Sequence, residues 1–282
     1  MRRPNASPMD EVLSGGFATG QPWSRDYVRI VTWNIERGLQ FSRILDFLRG
    51  AEADLILLQE VDLKARRTHF RDVACELAQS LRLNYFFGTE FQELSEGSGS
   101  SPARHGQATL SPWPLLNGRT IRFHHQSNFW KPHWYLPPLD HLQRRLGGRI
   151  ALVSDALIYG EKLVSYNLHL ESRGEDVIRL EQLWETLEDA RRYTEPSRVV
   201  LAGDFNMNAG NATAAMLLRG AGLMDAVQLP TVPTTPVRGL FQAGRSIDWI
   251  YISEGLRSEG RVHNSVRASN QYPVAVMFAV RR

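Results

Sequence analysis

The chain has little cysteine, no long apolar run and little excess of one charge. Its 282 residues include a single cysteine, Cys75, which excludes an internal disulfide. No run of about 18 apolar residues occurs, so no membrane-spanning helix is expected. The basic start at residues 1–3 is not followed by an apolar segment of the kind found in secretory signals. From these absences we expect a cytoplasmic protein.

The charges nearly cancel. There are 33 Lys and Arg residues against 30 Asp and Glu residues, a formal net charge of +3. This slight basic balance would help to attract phosphate-bearing ligands. It falls far short of the basic stripe expected of a dedicated nucleic-acid binder.

What is present is an apolar content of 43%, ample for a folded core. Residues 1–26 are rich in small and polar side chains, and we expect them to form a flexible N-terminal tail. No repeat or linker interrupts residues 27–282, so we expect a single domain there.

Strand and helix patterns alternate along this domain. The periodicity predicts helices at about 40–49, 70–81, 175–193 and 211–220, with strands between them. Residues 113–147 fit neither pattern and form a non-repeating segment. Two strand-rich halves with interspersed helices fit an α/β (α+β) fold. We expect a four-layer sandwich, in which two mixed β-sheets pack face to face and the helices lie outside.

Four strand patterns carry acid or amide side chains. An apolar run leads to Asp204 and Asn206, and strand alternation points both side chains the same way. Asn34 and Glu60 each end an apolar run, and Asp248 lies within another. Any one of them fits an ordinary strand end or cap. Together they predict a site for a hard divalent cation with a phosphate nearby.

The order of these motifs resembles the endonuclease/exonuclease/phosphatase superfamily. This superfamily includes pancreatic deoxyribonuclease, abasic-site endonucleases, neutral sphingomyelinases and inositol-polyphosphate 5-phosphatases. The resemblance runs from about residue 28 to residue 278. It rests on Trp-Asn-Ile at 33–35, Leu-Gln-Glu at 58–60, the glycine-led strand at 106–111, Asn-Leu-His-Leu at 167–170, Gly-Asp-Phe-Asn at 203–206 and Ile-Asp at 247–248. It implies the same sandwich fold and hydrolysis of a phosphodiester.

The resemblance also implies a metal site. Glu60 would hold Mg²⁺, or alternatively Mn²⁺, and Asn34 and Asn270 would lie beside the ion. Magnesium takes one or two carboxylates and keeps several waters, so a single strong ligand is reasonable.

Around the ion, Asp204 would orient or deprotonate the attacking water, and Asn206 and Asn34 would donate to phosphate oxygens. His169 would donate to phosphate or protonate the leaving group. Arg149 follows a double glycine, where the backbone can approach closely, and is a candidate phosphate contact.

The last motif departs from the family pattern. Where the family has Ser-Asp-His, this chain has Ser269, Asn270 and Gln271. In the family Asp248 would pair with that histidine, but glutamine cannot exchange protons near neutral pH. General acid–base assistance is typically worth about 10²–10⁴-fold in rate. The amide at 270 also removes a negative charge near the metal. We therefore expect catalysis to be impaired.

Two alternatives stay open at this stage. The chain is either an impaired phosphodiester hydrolase or a non-catalytic family member that binds a phosphate-bearing ligand. Either natural drift or deliberate replacement would give Asn270 and Gln271, and His169 with Asp204 could suffice for slow turnover.

The candidate substrates are nucleic acid, which is slightly favoured, a phospholipid or an inositol phosphate. The aromatic and basic segment at 129–149 could stack bases or cover a lipid headgroup, or simply pack on the domain. We expect a monomer.

Overall fold

Two β-sheets and four α-helices make up the described part of the chain in a computed structural model. The described residues are 9–20, 25–99, 101–127, 129, 145–193, 198–228, 232–236 and 243–279.

The first sheet has the strand order β1-β4-β5-β3-β2-β14-β13, and β7 pairs with β4. Pairing of β2 with β3 is parallel and the other pairs are antiparallel, so the sheet is mixed. Its strands are β1 (Leu13–Gly16), β2 (Tyr27–Arg37), β3 (Leu55–Leu63), β4 (Asn84–Ser98), β5 (Ser101–Ser111), β7 (Arg145–Gly147), β13 (Ser258–Val262) and β14 (Val274–Ala279).

The second sheet has the order β11-β12-β10-β9-β8-β6. It is also mixed, because β9 and β10 run parallel. Its strands are β6 (Leu115–Arg122), β8 (Ile150–Ile158), β9 (Glu161–His169), β10 (Arg198–Asp204), β11 (Leu223–Asp225) and β12 (Asp248–Ser253).

The helices form the outer layers. Helices α1 (Phe41–Ala51) and α2 (Val73–Leu81) pack through apolar side chains on the first sheet, and α3 (Asp176–Ala190) and α4 (Ala212–Gly220) pack on the second. The sheets bury a third apolar cluster between them, with side chains from β2, β3, β10, β12 and β14. The predicted four-layer sandwich is confirmed.

Local sequence explains where two of these helices begin. Asp72 accepts a hydrogen bond from the backbone N–H of Cys75 (3.0 Å), and Asn211 accepts one from Ala214 (3.0 Å). Side-chain caps of this kind satisfy backbone donors that the first helical turn leaves unpaired.

The pairing register brings the predicted site residues to one end of the two sheets. In the second sheet Asp204 is the partner of His169 on β9 and of Asp248 on β12. In the first sheet the β2–β3 register shifts after Asn34, and Glu60 lies in this irregular stretch with a φ of 52°. Such a bulge turns a side chain out of the regular ladder.

A buried amide pair joins the two sheets near this end. Gln59 on β3 donates to the side-chain oxygen of Asn167 on β9 (2.7 Å). Asn167 in turn donates to the carbonyl oxygens of Leu58 and Ala108, both at 3.0 Å. The oxygen of Gln59 has no partner among the described residues, but the N–H bonds of the two amides connect the sheets and help to fix their relative position.

Several sequence expectations differ from the structure. The expected flexible tail at 1–26 contains strand β1, which pairs with β4, so residues 13–16 belong to the sheet; residues 1–8 and 21–24 lie outside the described residues. Strand β6 falls in the segment expected to be non-repeating. Most of the aromatic and basic segment, residues 130–144, is also outside the described residues. No described helix is long and apolar enough to cross a membrane.

Candidate active site

A cavity of about 530 Å³ opens where the two sheets present their acid and amide side chains. It is lined by Glu60, Arg149, His169, Ser172, Asp204, Asn206, Thr235, Pro236, Ala243, Arg245, Asn270 and Gln271. Seven of the nine predicted site residues are in this set, and Asn34 contacts two of its members. Asn34 and Asp248 do not line the cavity themselves.

Asp204 lies at the centre of the hydrogen bonds in the cavity. Its Oδ2 accepts from the side-chain amides of Gln271 (2.7 Å) and Asn34 (3.1 Å). Its Oδ1 accepts from the backbone N–H of Asn206 (2.9 Å), and the Nε2 of His169 is 3.9 Å from Oδ2. The carboxylate is thus held in one orientation by donors from both sheets.

Asn34 bridges the two carboxylates that line the cavity. Its Nδ2 lies 3.1 Å from Glu60 Oε1 and 3.1 Å from Asp204 Oδ2. Its Oδ1 accepts from the backbone N–H of Glu36 (3.1 Å). In this arrangement Asn34 positions the carboxylates, and its oxygen is already bonded to the backbone.

Glu60 faces the cavity as an ionised group. Burial alone would raise its pKa, but His105, His169 and Arg37, together with the hydrogen bond from Asn34, lower it. The Nη1 of Arg37 is 3.9 Å from Glu60 Oε2. A carboxylate with a lowered pKa and an exposed edge is available to a cation at neutral pH.

His169 belongs to a buried cluster that the sequence did not predict. Its Nδ1 is 3.2 Å from Glu90 Oε1, and the Nη1 of Arg149 is 2.8 Å from that same ring nitrogen. Arg149 also forms an ion pair with Glu90 Oε2 (2.8 Å), and its Nη2 donates to the hydroxyl of Ser172 (2.9 Å). Burial would raise the pKa of Glu90, but His169 and Arg149 hold it well below its usual range.

Glu90 is the main site residue that sequence reasoning missed. It lies in the middle of β4 and is fully buried, and Gln107 also donates to its Oε1 (2.9 Å). The sequence does offer one indication of its role, because an acid within an apolar strand pattern is buried and therefore needs a partner. Arg245 and Thr235 were also missed, because both belong to an irregular segment with no periodic pattern.

Gln271 does not pair with Asp248, although the family pattern pairs Asp248 with a histidine at this position. The Nε2 of Gln271 donates to Asp204, and neither carboxylate oxygen of Asp248 has a hydrogen-bond partner among the described residues. The neighbouring hydroxyl of Thr234 accepts from the backbone N–H of Asp248 (3.2 Å) and donates to the carbonyl oxygen of Arg245 (3.2 Å). Burial, and then the nearby charge of Asp204, raises the pKa of Asp248 well above its ordinary value.

Asn206 and the terminal motif at 269–271 form hydrogen bonds that connect them to neighbouring backbone. Asn206 donates through Nδ2 to the carbonyl oxygen of Leu170 (3.0 Å). Ser269 donates to the carbonyl oxygen of Asn34 (2.6 Å) and also lies 3.4 Å from Asn270 Oδ1. The terminal motif is therefore attached directly to β2.

The donor set suits a hard cation with few protein ligands. No cluster of three or more His, Cys, Asp or Glu side chains arranged for a metal occurs in the described ranges. Glu60 nevertheless offers an ionised carboxylate to a wide polar cavity that Asn270 also lines. Since Mg²⁺ takes one or two carboxylates and completes its shell with water, these residues fit it.

Comparison with known proteins identifies the family. The model of the Endonuclease/Exonuclease/phosphatase family matches residues 31–270, most of the chain. The chain belongs to this family, whose members are hydrolases that act on phosphodiester bonds. No curated protein matches the chain.

Solved structures share the fold at low sequence identity. A Beutenbergia cavernae endonuclease/exonuclease/phosphatase is 19% identical with a TM-score of 0.66, over 90% of this chain and 72% of that one. Truncated Caenorhabditis elegans TDP2 is 17% identical with a TM-score of 0.61, over 90% and 98% of the two chains. A Bacteroides vulgatus endonuclease/exonuclease/phosphatase is 16% identical with a TM-score of 0.63, over 91% and 100%.

Proposed function

We propose that this chain is a divalent-metal-dependent phosphodiester hydrolase whose turnover is slowed by Asn270 and Gln271. The observation that carries the proposal is the shared cavity, in which Asn34 bridges the carboxylates of Glu60 and Asp204 beside His169. This geometry supports a cation site beside a water-activating group.

Asp204 orients or deprotonates the attacking water. Three hydrogen bonds, from Asn34, Gln271 and the backbone of Asn206, fix its carboxylate relative to the cavity. A fixed acceptor lowers the entropic cost of aligning water with phosphorus. Asn206 supplies a side-chain donor for a phosphate oxygen, although in the resting site this amide donates to Leu170.

His169 donates to phosphate or to the leaving oxygen. Glu90 contacts its Nδ1 at 3.2 Å, and the Nη1 of Arg149 lies 2.8 Å from Nδ1 and 3.1 Å from Nε2. These contacts fix the ring, with Nε2 3.9 Å from Asp204 Oδ2. Arg149 also lines the cavity, and its charge is balanced by Glu90. It therefore contributes directional N–H donors more than net positive charge.

Glu60 would hold Mg²⁺, or Mn²⁺, with Asn270 beside it. When bound, the ion would act as a Lewis acid on a phosphoryl oxygen. Asn34 would orient Glu60 through its Nδ2, and it would donate to a phosphate oxygen by exchanging one of its two present acceptors, Glu60 or Asp204. The amide at 270 supplies no negative charge, which is expected to weaken the hold on the ion.

Gln271 accounts for the expected loss of rate. It contributes an amide N–H to Asp204, where the family pattern has a titratable imidazole. Proton transfer is then left to His169 and Asp204 alone.

A non-catalytic role in binding a phosphate-bearing ligand is the second candidate. It is favoured by Asp248, a buried carboxylate without a hydrogen-bond partner among the described residues. This arrangement would follow if selection had ceased to maintain a proton-relay pair. Nucleic acid is slightly favoured as the ligand over phospholipid or inositol phosphate. A cytoplasmic location stays a prediction from the sequence.

The direct test compares this chain with its Asn270→Asp/Gln271→His variant. Hydrolysis of bis-p-nitrophenyl phosphate and of plasmid DNA is measured with Mg²⁺, with Mn²⁺ and with EDTA. We expect metal-dependent turnover at least about 10²-fold faster in the variant. The Asp204→Asn form of that variant is the negative control. No turnover in any form would refute the proposal for these substrates, and equal rates would refute the role given to residues 270 and 271.

A further inference from the structure

Arg245 is a cation of the cavity wall that the proposed chemistry leaves unused. Among the residues that the structure describes, two arginines line the cavity, Arg149 and Arg245. Arg149 is ion-paired with Glu90 at 2.8 Å. Arg245 has no carboxylate partner within the described part of the chain and is exposed.

The backbone of Arg245 is firmly held. Its carbonyl oxygen accepts from the backbone N–H groups of Thr234 (2.9 Å) and Thr235 (3.0 Å). Its own N–H donates to the hydroxyl of Thr235 (2.7 Å). The side chain therefore projects from a fixed point of the cavity wall.

The guanidinium lies directly beside the Gly-Asp-x-Asn turn. Its Nη2 is 3.3 Å from the carbonyl oxygen of Asn206, a long contact that engages one of its five N–H donors. The backbone N–H of the same Asn206 donates to Asp204. A group bound at Asp204 would therefore have the free edge of Arg245 as a close neighbour.

The charges of the cavity explain why a second anionic group would need this residue. Glu60 and Asp204 are both acidic, and the charge of Arg149 is offset by Glu90. These carboxylates repel each phosphate of a ligand whose charge is not neutralised by a bound cation. Arginine recognises phosphate through paired N–H donors, which an ammonium group cannot reproduce.

We propose that Arg245 binds a second phosphate, one nucleotide away from the phosphodiester held at Asp204, and so selects a nucleic-acid strand over an isolated diester. This inference rests on the proposed function, because it takes Asp204 to mark the position of the reacting phosphodiester.

The test uses ligands that differ by one phosphate. The dissociation constants of dithymidine monophosphate (TpT) and of its 5′- and 3′-phosphorylated forms (pTpT and TpTp) are measured by calorimetry with Ca²⁺ present. The proteins are the unmodified chain, Arg245→Ala, Arg245→Lys and Arg219→Ala. Arg219 is exposed on α4 and does not line the cavity, so its removal changes the net charge equally. Thermal unfolding of each variant confirms that it is folded.

We expect the unmodified chain and Arg219→Ala to bind pTpT or TpTp about three- to tenfold more tightly than TpT. Arg245→Ala should lose this preference while its affinity for TpT stays within about twofold, and Arg245→Lys should keep part of it. The inference is overturned if the unmodified chain shows no preference, or if Arg245→Ala keeps it. It is also overturned if Arg245→Ala weakens all three ligands equally.

These outcomes are separate from those of the hydrolysis assay, because binding is measured whether or not turnover occurs. If the preference disappears only in Arg245→Ala but no variant hydrolyses a diester, the proposed function fails, and the binding of a second phosphate by Arg245 still stands. If a diester is hydrolysed but Arg245→Ala keeps the preference for the second phosphate, the proposed function stands and the role given to Arg245 fails.

Discussion

At the scale of single residues, the site is organised by amides that separate and orient acids. The Nδ2 of Asn34 lies between Glu60 and Asp204, and the side-chain amide of Gln271 also donates to Asp204. Two carboxylates that share a cavity repel each other, and each donor placed between them lowers that cost. The cation expected beside Glu60 would lower it further.

Replacing Glu60 by Gln should weaken cation binding, because the neutral amide removes the ionised ligand and keeps its size. We expect the dissociation constant for Mn²⁺, measured by electron paramagnetic resonance, to rise by at least about tenfold. Glu161→Gln, at an exposed position at the start of β9, is the control and should leave it unchanged. Equal Mn²⁺ affinity in all three proteins would mean that Glu60 is not a metal ligand.

Asp248→Asn should stabilise the protein increasingly as the pH rises. Burial, and then Asp204, raises the pKa of Asp248 above its ordinary value of 3.8. The folded state therefore favours the protonated acid. The contribution of protonated Asp248 to stability is complete at pH values below the pKa that this group has in the unfolded chain. It is lost as the pH rises through the pKa that the group has in the folded protein. The asparagine side chain of the variant cannot ionise, so the variant does not lose stability in this way as the pH rises.

Thermal unfolding from pH 4 to pH 8 measures this effect. We expect the Tm of Asp248→Asn, relative to the unmodified chain, to increase by about 2–4 °C over that range. Asp46→Asn, at an exposed position, is the control. A difference that is constant or that shrinks with rising pH would show that Asp248 is not a destabilised buried acid.

Sequence reasoning located most of these residues but not all of their partners. The strand-end patterns indicated Asn34, Glu60, Asp204 and Asn206, because alternation and sheet edges fix where such side chains point. Whether Gln271 bonds to Asp248 or to Asp204 depends on the position of the loop before β14 to within a few ångströms. No local pattern encodes that choice.

At the scale of secondary-structure elements, the close pairing of β9 and β10 aligns His169 with Asp204. This approach depends on Gly203, whose φ is +148°. A Cβ placed there would lie 1.9 Å from the carbonyl oxygen of Leu168. Only glycine fits both the backbone conformation and the space.

Gly203→Ala should therefore destabilise the domain and disturb the site together. The added methyl group would push β10 away from β9, and we expect a loss of at least about 2 kcal/mol in the free energy of unfolding, measured in urea. Gly220→Ala, at the end of α4 where a Cβ meets nothing within 4 Å, is the control. Unfolding of Gly203→Ala at the same urea concentration as the unmodified chain would contradict this account.

Elements with strong periodicity were predictable, and those defined by pairing alone were not. Helix α4 was predicted at 211–220 and is found at Ala212–Gly220. Strand β1 was missed because its four residues include Gly15 and Gly16, which carry no apolar alternation and are ordered by pairing with β4. Strand β4 is longer than a single periodic pattern would indicate, because it runs from Asn84 to Ser98 with register shifts that mask its period.

At the scale of the whole molecule, the layered sandwich places the cavity at one end and covers both outer sheet faces with helices. The exposed large apolar side chains among the described residues are spread over several elements, with Leu116 on β6, Met216 on α4, and Val177 and Trp184 two turns apart on α3. Scattered single apolar residues do not form the continuous patch that a stable dimer requires.

We therefore predict a monomer in solution. Light scattering coupled to gel filtration should give one species near the chain mass of 32.0 kDa at every concentration loaded. A mass that rises towards twice this value with concentration would contradict the prediction.

The central claim is that one cavity holds both a cation and a phosphate. A crystal structure grown with Mn²⁺ and inorganic phosphate tests it most directly, because anomalous scattering locates the ion without ambiguity. We predict an Mn²⁺ peak about 2.1 Å from a carboxylate oxygen of Glu60, with the phosphate contacting Asn206 or His169. An ion bound elsewhere, or a phosphate outside this cavity, would contradict the account.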